Sequence, residues 1–248
     1  MILCHGLSAT RRYVVHGSRF LPRKGFRLIT FDARGHGLSE PASEYNYAGL
    51  SRDLGRVIES QTGSGPLIAG GHSMGCHTVA RRWFERPEGI QALIFAGPVF
   101  LGAGSEDPAR WDARAEAMIR GPEAFADEVS AGSPAAMKDT IWRIARDRAR
   151  LHAHPEAVAD ALRQIPRSSP FESAQDLARI DVPVLIVGSR DEFDPGHPLA
   201  VAETWAETIP GAELICEEEG ESPLAWQGGR LSRAVLDFLV RHGLAPVG

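Results

Sequence analysis

The sequence predicts an α/β fold: a mostly parallel sheet flanked by helices and interrupted by a helical insertion. Two patterns carry that expectation. Short apolar runs at 1–4, 26–31, 67–69, 92–96, 184–187 and 213–216 read as strands, and they alternate with stretches of helical periodicity, as a helix-covered parallel sheet requires. Between Gly97 and Val184 no strand-like run occurs. Leu50, Leu54, Val57 and Ile58 recur at helical spacing, as do Leu231, Val235, Phe238 and Leu239 near the end. In the long interval, Pro108 follows Asp107, Pro122 follows Gly121, Pro134 follows Ser133 and Pro155 follows His154. Proline suits the first helical position and Asp or Ser the cap before it, so this interval reads as a string of short helices. Met137, Ile141, Ile144 and Leu151 mark one apolar face there, with Trp111, Met118 and Trp142 as further apolar candidates.

The 248 residues suit one domain with an inserted subdomain, the core at 1–97 and 171–248 and the insertion at 98–170. A formal net charge of -5 with scattered arginines leaves no nucleic-acid footprint. Lys24 and Lys138 are the only lysines. Three dispersed cysteines, Cys4, Cys76 and Cys216, argue against a disulfide framework and suit a reducing compartment. No stretch reads as a signal peptide or a membrane span, so a soluble, cytoplasmic protein is expected. No His, Cys or carboxylate spacing suggests a metal, and no Gly-rich turn suggests a dinucleotide, so no cofactor is expected.

The most informative segment is Gly71-His72-Ser73-Met74-Gly75, which follows the strand-like Leu67-Ile68-Ala69 and precedes the helix-compatible Cys76-His77-Thr78-Val79-Ala80. A serine hydroxyl is a poor nucleophile until it is held on a tight strand-to-helix turn beside a base. The two glycines remove side chains that would collide there. The helix that follows points its N-terminal amides at developing negative charge.

Two upstream segments extend the pattern. Ile2-Leu3-Cys4-His5-Gly6-Leu7 resembles the strand and His-Gly turn that build half of the oxyanion hole in α/β-hydrolases. Phe31-Asp32-Ala33-Arg34-Gly35-His36-Gly37-Leu38-Ser39 resembles the D-x-R-G-x-G-x-S loop of that superfamily. The resemblance covers nearly the whole chain. It implies Ser73 as nucleophile, backbone amides of Leu7 and Met74 as the oxyanion hole, and a cap formed by the insertion. It also implies a chain order of Ser, then Asp or Glu, then His. Gly188-Ser189-Arg190-Asp191, with Pro195 four residues on, matches the acid loop and points to Asp191, with Asp194 as competitor.

The chain departs from the family in two places. Members carry two antiparallel strands before the His-Gly strand, which here begins at Met1. Their lack would leave 26–31 as an exposed apolar edge, so a start further upstream is expected, or a second subunit over that edge. Ser222 stands where the histidine base is expected, on the loop after the last strand-like run. His197, on the acid's own loop, is the leading replacement. His152 and His154 of the insertion and the carboxylates of Glu219 and Glu221 are the others, although the acidic run reads better as a solvated loop. His242, deep in the last helix, is too distant. His72 is expected to pack beside the sheet, and His5 and His36 to shape their loops. The expected activity is hydrolysis of an ester or lactone of a small, fairly apolar molecule through an acyl-enzyme on Ser73. A catalytically silent small-ligand binder, or a lyase or carbon–carbon hydrolase on the same scaffold, is the alternative.

Overall fold

The computed structural model describes residues 1–61, 66–102 and 107–246. Strands β1 (Ile2–Cys4), β2 (Ile29–Thr30), β3 (Leu67–His72), β4 (Ile90–Ala96), β5 (Val184–Val187) and β6 (Glu213–Ile215) form one sheet in the order β2-β1-β3-β4-β5-β6. Every adjacent pair is parallel. The connecting helices are α1 (Phe20–Arg23), α2 (Tyr47–Gln61), α3 (Met74–Glu85), α4 (Pro108–Arg120), α5 (Pro122–Ser130), α6 (Lys138–Ala149), α7 (Pro155–Gln164), α8 (Leu199–Thr208) and α9 (Gly228–Arg241).

A parallel sheet buried on both faces needs apolar residues at successive positions, and the alternation of side chains distributes them between two cores. Ile2, Cys4, Ala69, Leu93, Phe95, Val184 and Ile186 pack with Leu54 of α2, Val79 and Trp83 of α3 and Trp205 of α8. Leu3, Ile68, Ile94, Leu185 and Val187 face the other way, onto Leu21 of α1 and Leu231, Val235, Phe238 and Leu239 of α9.

The edge strand is shorter than its apolar run. Within 26–31 only Ile29 and Thr30 pair, with Ile2 and Leu3 of β1, while Phe26 turns inward onto the second core. A two-residue edge offers little template for another strand.

Helices α4 to α7 occupy the interval between β4 and β5. Pro108, Pro122 and Pro155 each begin a helix, and the Asp107 side chain accepts from Arg110 N at 3.0 Å. Pro134 instead precedes a turn, and α6 starts at Lys138. The expected apolar face of that stretch is only partly right: Met137 is buried, but Ile141, Ile144 and Leu151 are half-buried. The seam that α6 buries is Ala145 and Ala149, small residues that let α5 and α6 approach closely. Met118, Phe125, Val158 and Leu162 complete this cluster, with Trp111 and Trp142 at its margin. Ala157 and Ala161 of α7 pack on a second group, Tyr45, Tyr47, Leu50 and Met74, and Leu7 packs against both clusters. The four helices therefore rest on the Leu7 turn and on Met74, the two expected flanks of the nucleophile. No described helix is long and apolar enough to cross a membrane.

Candidate active site

Ser73 lies between β3 and α3 with φ 51° and ψ −115°. A non-glycine residue at positive φ costs roughly 1–3 kcal/mol and persists only where its surroundings impose it. Here Ser73 N donates to Ala96 O at 2.9 Å, tying the turn to the end of β4. The flanking glycines are obligatory. A Cβ on Gly71 would lie 2.3 Å from the Gly75 carbonyl carbon, and one on Gly75 would lie 2.3 Å from Cys4 O. Cys76 Sγ donates to Gly71 O and Ala96 O, each at 3.1 Å, and burial pushes its thiol well up, so it is a packing residue.

The His5-Gly6-Leu7 turn meets the serine directly. A Cβ on Gly6 would come within 3.0 Å of His72 Nδ1 and 3.4 Å of Ser73 Cβ. Among the described residues neither Leu7 N nor Met74 N donates to a protein acceptor, so both amides are available beside the Ser73 turn. Asp32 explains the motif after β2: its carboxylate accepts from Arg11 N at 2.8 Å and Leu38 N at 3.2 Å and pairs with the Arg11 guanidinium. Ser39 Oγ donates to Asp32 O at 2.7 Å. Arg34 grips Asp53 of α2 through two bonds of 2.7 and 3.0 Å.

Three buried histidines pin these loops, each held in one neutral tautomer by two backbone partners. His5 Nε2 accepts from Ala33 N at 2.9 Å, which places the proton on Nδ1, donating to Gly6 O at 2.8 Å. His36 Nε2 accepts from Ser8 N at 3.3 Å while Nδ1 donates to Arg34 O at 3.0 Å. His152 Nδ1 accepts from Gly37 N at 2.9 Å and Nε2 donates to Ser8 O at 3.2 Å. His152 is thus a tie between the α6–α7 connection and the loops that carry Ser8 and Gly37. Its ring stacks edge-on against His36 at 5.7 Å.

A fourth ring, His77, accepts from Val99 N at Nε2 and donates from Nδ1 to the Tyr47 hydroxyl at 2.9 Å. Burial lowers all four, His5 to about 4 and His77 to about 3. The unfolded histidine value is about 6.5, so below it the unfolded chain binds more protons and stability rises with pH. We expect full stability above about pH 6.5 and a progressive loss as pH falls toward 4, with Tm lower at pH 5 than at pH 7 by at least about 5 °C. Differential scanning calorimetry across that range checks it, and a flat Tm would contradict the neutral-tautomer network.

The structure brings His197, but not Asp191, into the expected pairing. His197 Nδ1 lies 3.0 Å from both Asp194 carboxylate oxygens. Asp191 instead accepts from Leu199 N at 2.8 Å and caps the start of α8. The reason is the turn through Pro195 and Gly196, closed by His197 N donating to Asp194 O at 3.0 Å, which sets side chains three residues apart on one side. Asp194 is buried and Asp191 exposed. The His197 ring abuts Gly97, where an added Cβ would fall 3.1 Å away, one residue beyond the carbonyl that holds Ser73 N. It also lies 4.7 Å from the His72 ring, whose buried Nε2 has no protein partner. His72 therefore belongs to the site's wall as well as to the sheet. With Nδ1 taken up by Asp194, Nε2 of His197 is the nitrogen left for proton transfer.

The other candidate bases are placed elsewhere. Ser222 offers its carbonyl to the Gln227 amide, and Glu221 pairs with Arg230 at 2.5 Å. His154 sits 3.9 Å from exposed Glu40, and His242 pairs with Glu213 at 2.8 Å. The acidic run is not wholly solvated as expected: Glu217 is buried, its carboxylate accepting from Arg190 N at 2.7 Å and Leu224 N at 2.9 Å. It joins the loops after β5 and β6. The only hint in the sequence is its place directly after an apolar strand. Among the described residues no group of three or more His, Cys, Asp or Glu side chains forms a metal site.

The sheet order, the elbow and the apposed amides define a hydrolase scaffold. A family model described as alpha/beta hydrolase fold matches residues 1–226, and the chain belongs to that family. It is similar to a RutD protein of Pseudomonas savastanoi pv. phaseolicola, named as a carbamate hydrolase, at 26% identity over 96% of this chain and 93% of that protein. It is 31% identical to mouse sn-1-specific diacylglycerol lipase ABHD11 over 42% of this chain, spanning only 35% of the lipase. Among solved structures, a bromoperoxidase from Bacillus anthracis superposes with TM-score 0.78 at 25% identity, covering 96% of this chain and 91% of that one. A thermophilic esterase from Thermogutta terrifontis gives 0.77 at 21%, covering 97% and 89%.

Proposed function

We propose that the protein is a serine hydrolase that cleaves a carboxylic ester or lactone of a small, fairly apolar molecule through an acyl-enzyme on Ser73. The observation that carries this reading is a strained Ser73 on the elbow together with a histidine held by a buried carboxylate, His197 on Asp194, whose ring packs against Gly97 and His72 next to that elbow. His197 Nε2 takes the serine proton as Ser73 Oγ attacks the carbonyl, and Asp194 stabilises the imidazolium and fixes its tautomer. The amides of Leu7 and Met74 hold the oxyanion, aided by the N-terminus of α3. The histidine returns its proton to the leaving oxygen, and water, deprotonated by the same ring, releases the acyl group. Helices α4 to α7 act as a cap that closes the site from water. The His197–Asp194 pair argues against the silent-binder reading, because a buried carboxylate aimed at a ring beside the elbow has no structural necessity there.

The direct test is a fluorophosphonate probe at neutral pH. Ser73 should be labelled and no other serine, as read by peptide mass spectrometry, because labelling requires an activated hydroxyl. A folded protein that does not react would end the proposal.

A further inference from the structure

The hydrolase reading leaves one cation near the site without a role. Arg148, in the last turn of α6, lays its guanidinium over the Tyr13 ring at 4.7 Å from the centroid. Its Nε is buried and has no hydrogen-bond partner, and among the described residues Arg148 makes no ion pair. The charge disfavours protonation of His5, His16 and His72, and the negative charge of Asp194 in turn favours the charged guanidinium. Three of these groups belong to the serine site: His5 begins the turn that meets Ser73, His72 precedes Ser73, and Asp194 holds His197. Four residues on from Arg148, His152 fastens the end of this helix to Ser8 O and Gly37 N. Tyr13, in turn, sits edge-on to His16 at 5.8 Å.

A cation half withdrawn from water without an ion pair is costly, and desolvation lowers the Arg148 affinity for its proton. Two other arginines, Arg82 and Arg114, also have a buried Nε without a partner, yet their settings differ. Arg82 lies against Gly55 of α2, and Arg114 stacks on Trp111 at 5.0 Å with the charges of Glu128 and Asp107 nearby. Of the three, Arg148 is the one on the helix whose end His152 fastens to Ser8, directly after the turn that meets Ser73. The Asp194 carboxylate, a counter-charge that acts on Arg148, is already engaged by His197.

We propose that Arg148, supported by the Tyr13 ring, is the recognition site for a carboxylate on the substrate, so that the enzyme prefers an ester or lactone carrying a free acid. This deepens the hydrolase reading and rests on it. A guanidinium presents its Nε edge as a planar pair of donors that matches a carboxylate, and the pairing strengthens where water is excluded. The negative charge of Asp194 nearby disfavours a doubly charged anion such as phosphate and suits a single carboxylate. Since α6 belongs to the helical segment above the site, an anion bound there would also draw those helices down onto Ser73.

The test compares kcat/KM for mono-p-nitrophenyl glutarate, whose acyl chain ends in a carboxylate, with that for uncharged p-nitrophenyl butyrate. Wild type should favour the glutarate ester, and Arg148→Met should lower the glutarate-to-butyrate ratio by about ten- to a hundredfold, mainly through KM. Arg148→Lys should recover part of the preference, since it restores charge but not the fork. An unchanged ratio in folded Arg148→Met would overturn the assignment. Glutarate binding by calorimetry to Ser73→Ala protein, with and without Arg148→Met, decides the matter independently of turnover. If neither ester is cleaved but glutarate binds in an Arg148-dependent way, the hydrolase reading fails and the anion site stands. If esters are cleaved and glutarate binding ignores Arg148, the reverse holds.

Discussion

Ser73→Ala should abolish turnover of short-chain p-nitrophenyl esters, with kcat falling at least about a thousandfold while the fold is kept. The substitution removes one oxygen from a half-exposed side chain and leaves the features that impose the turn. These are the Ser73 N bond to Ala96 O and the contacts of Gly71 with Gly75 and of Gly75 with Cys4. Alanine inherits the same φ and ψ, so far-ultraviolet circular dichroism and Tm should change little. That separation matters, because the same loss of activity from an unfolded protein would say nothing about the nucleophile. A folded Ser73→Ala protein that keeps most of its activity would remove Ser73 from the mechanism and move attention to other chemistry on this scaffold.

Much of this arrangement was legible in the residues. The elbow could be read because three constraints act within five positions: a strand must end, a helix must start, and the residue between must tolerate positive φ with glycines on either side. The sheet could be read because short continuous apolar runs alternating with helical periodicity are what strands buried on both faces require. The edge strand is shorter than its composition implies. A run such as 26–31 looks like a full strand by composition, but Phe26 is recruited to the core beneath α1, and only Ile29 and Thr30 are left to pair. On α6 the larger Ile141 and Ile144 suggested the buried face, yet close helix packing selected Ala145 and Ala149.

The acid loop shows where sequence spacing stops being informative. Asp191 and Asp194 differ by three positions, and which of them meets His197 depends on how the chain turns through Pro195 and Gly196. That is a matter of a single turn's geometry rather than residue type. The buried role of Glu217 is not legible in the residues for a related reason. Within Glu217-Glu218-Glu219 nothing local separates the buried carboxylate from its exposed neighbours. Only the approach of Arg190 N from the loop after β5, and of Leu224 N from further along its own loop, selects the first.

Those placements make the two aspartates separable by experiment. His197→Ala should lower kcat by about three to four orders of magnitude, and Asp194→Asn by about two to four, because the amide presents the wrong partner to Nδ1 and favours the wrong tautomer. Asp191→Asn should behave differently. Its carboxylate supports Leu199 N at the start of α8, so the expected result is a stability loss of about 1 kcal/mol, or about 2–4 °C in Tm. Its kcat should stay within a small factor of wild type.

The pH profile supplies the second axis. In the proposed mechanism a neutral imidazole takes the serine proton, so kcat/KM of wild type should rise with pH on the acid side. The residual activity of His197→Ala should lack that limb. Stopped assays over a pH range in which wild type remains folded check this, since the buried-histidine network sets the lower bound for a fair measurement. Should Asp191→Asn prove the catalytically crippled variant and Asp194→Asn the merely less stable one, the loop must rearrange on binding substrate. Asp191 would then hold the role that the loop's sequence pattern first suggested. If His197→Ala keeps full rate, neither aspartate pairing serves catalysis. Ser222→His then becomes the informative variant, because it returns an imidazole to the loop that Glu217 holds against the acid loop.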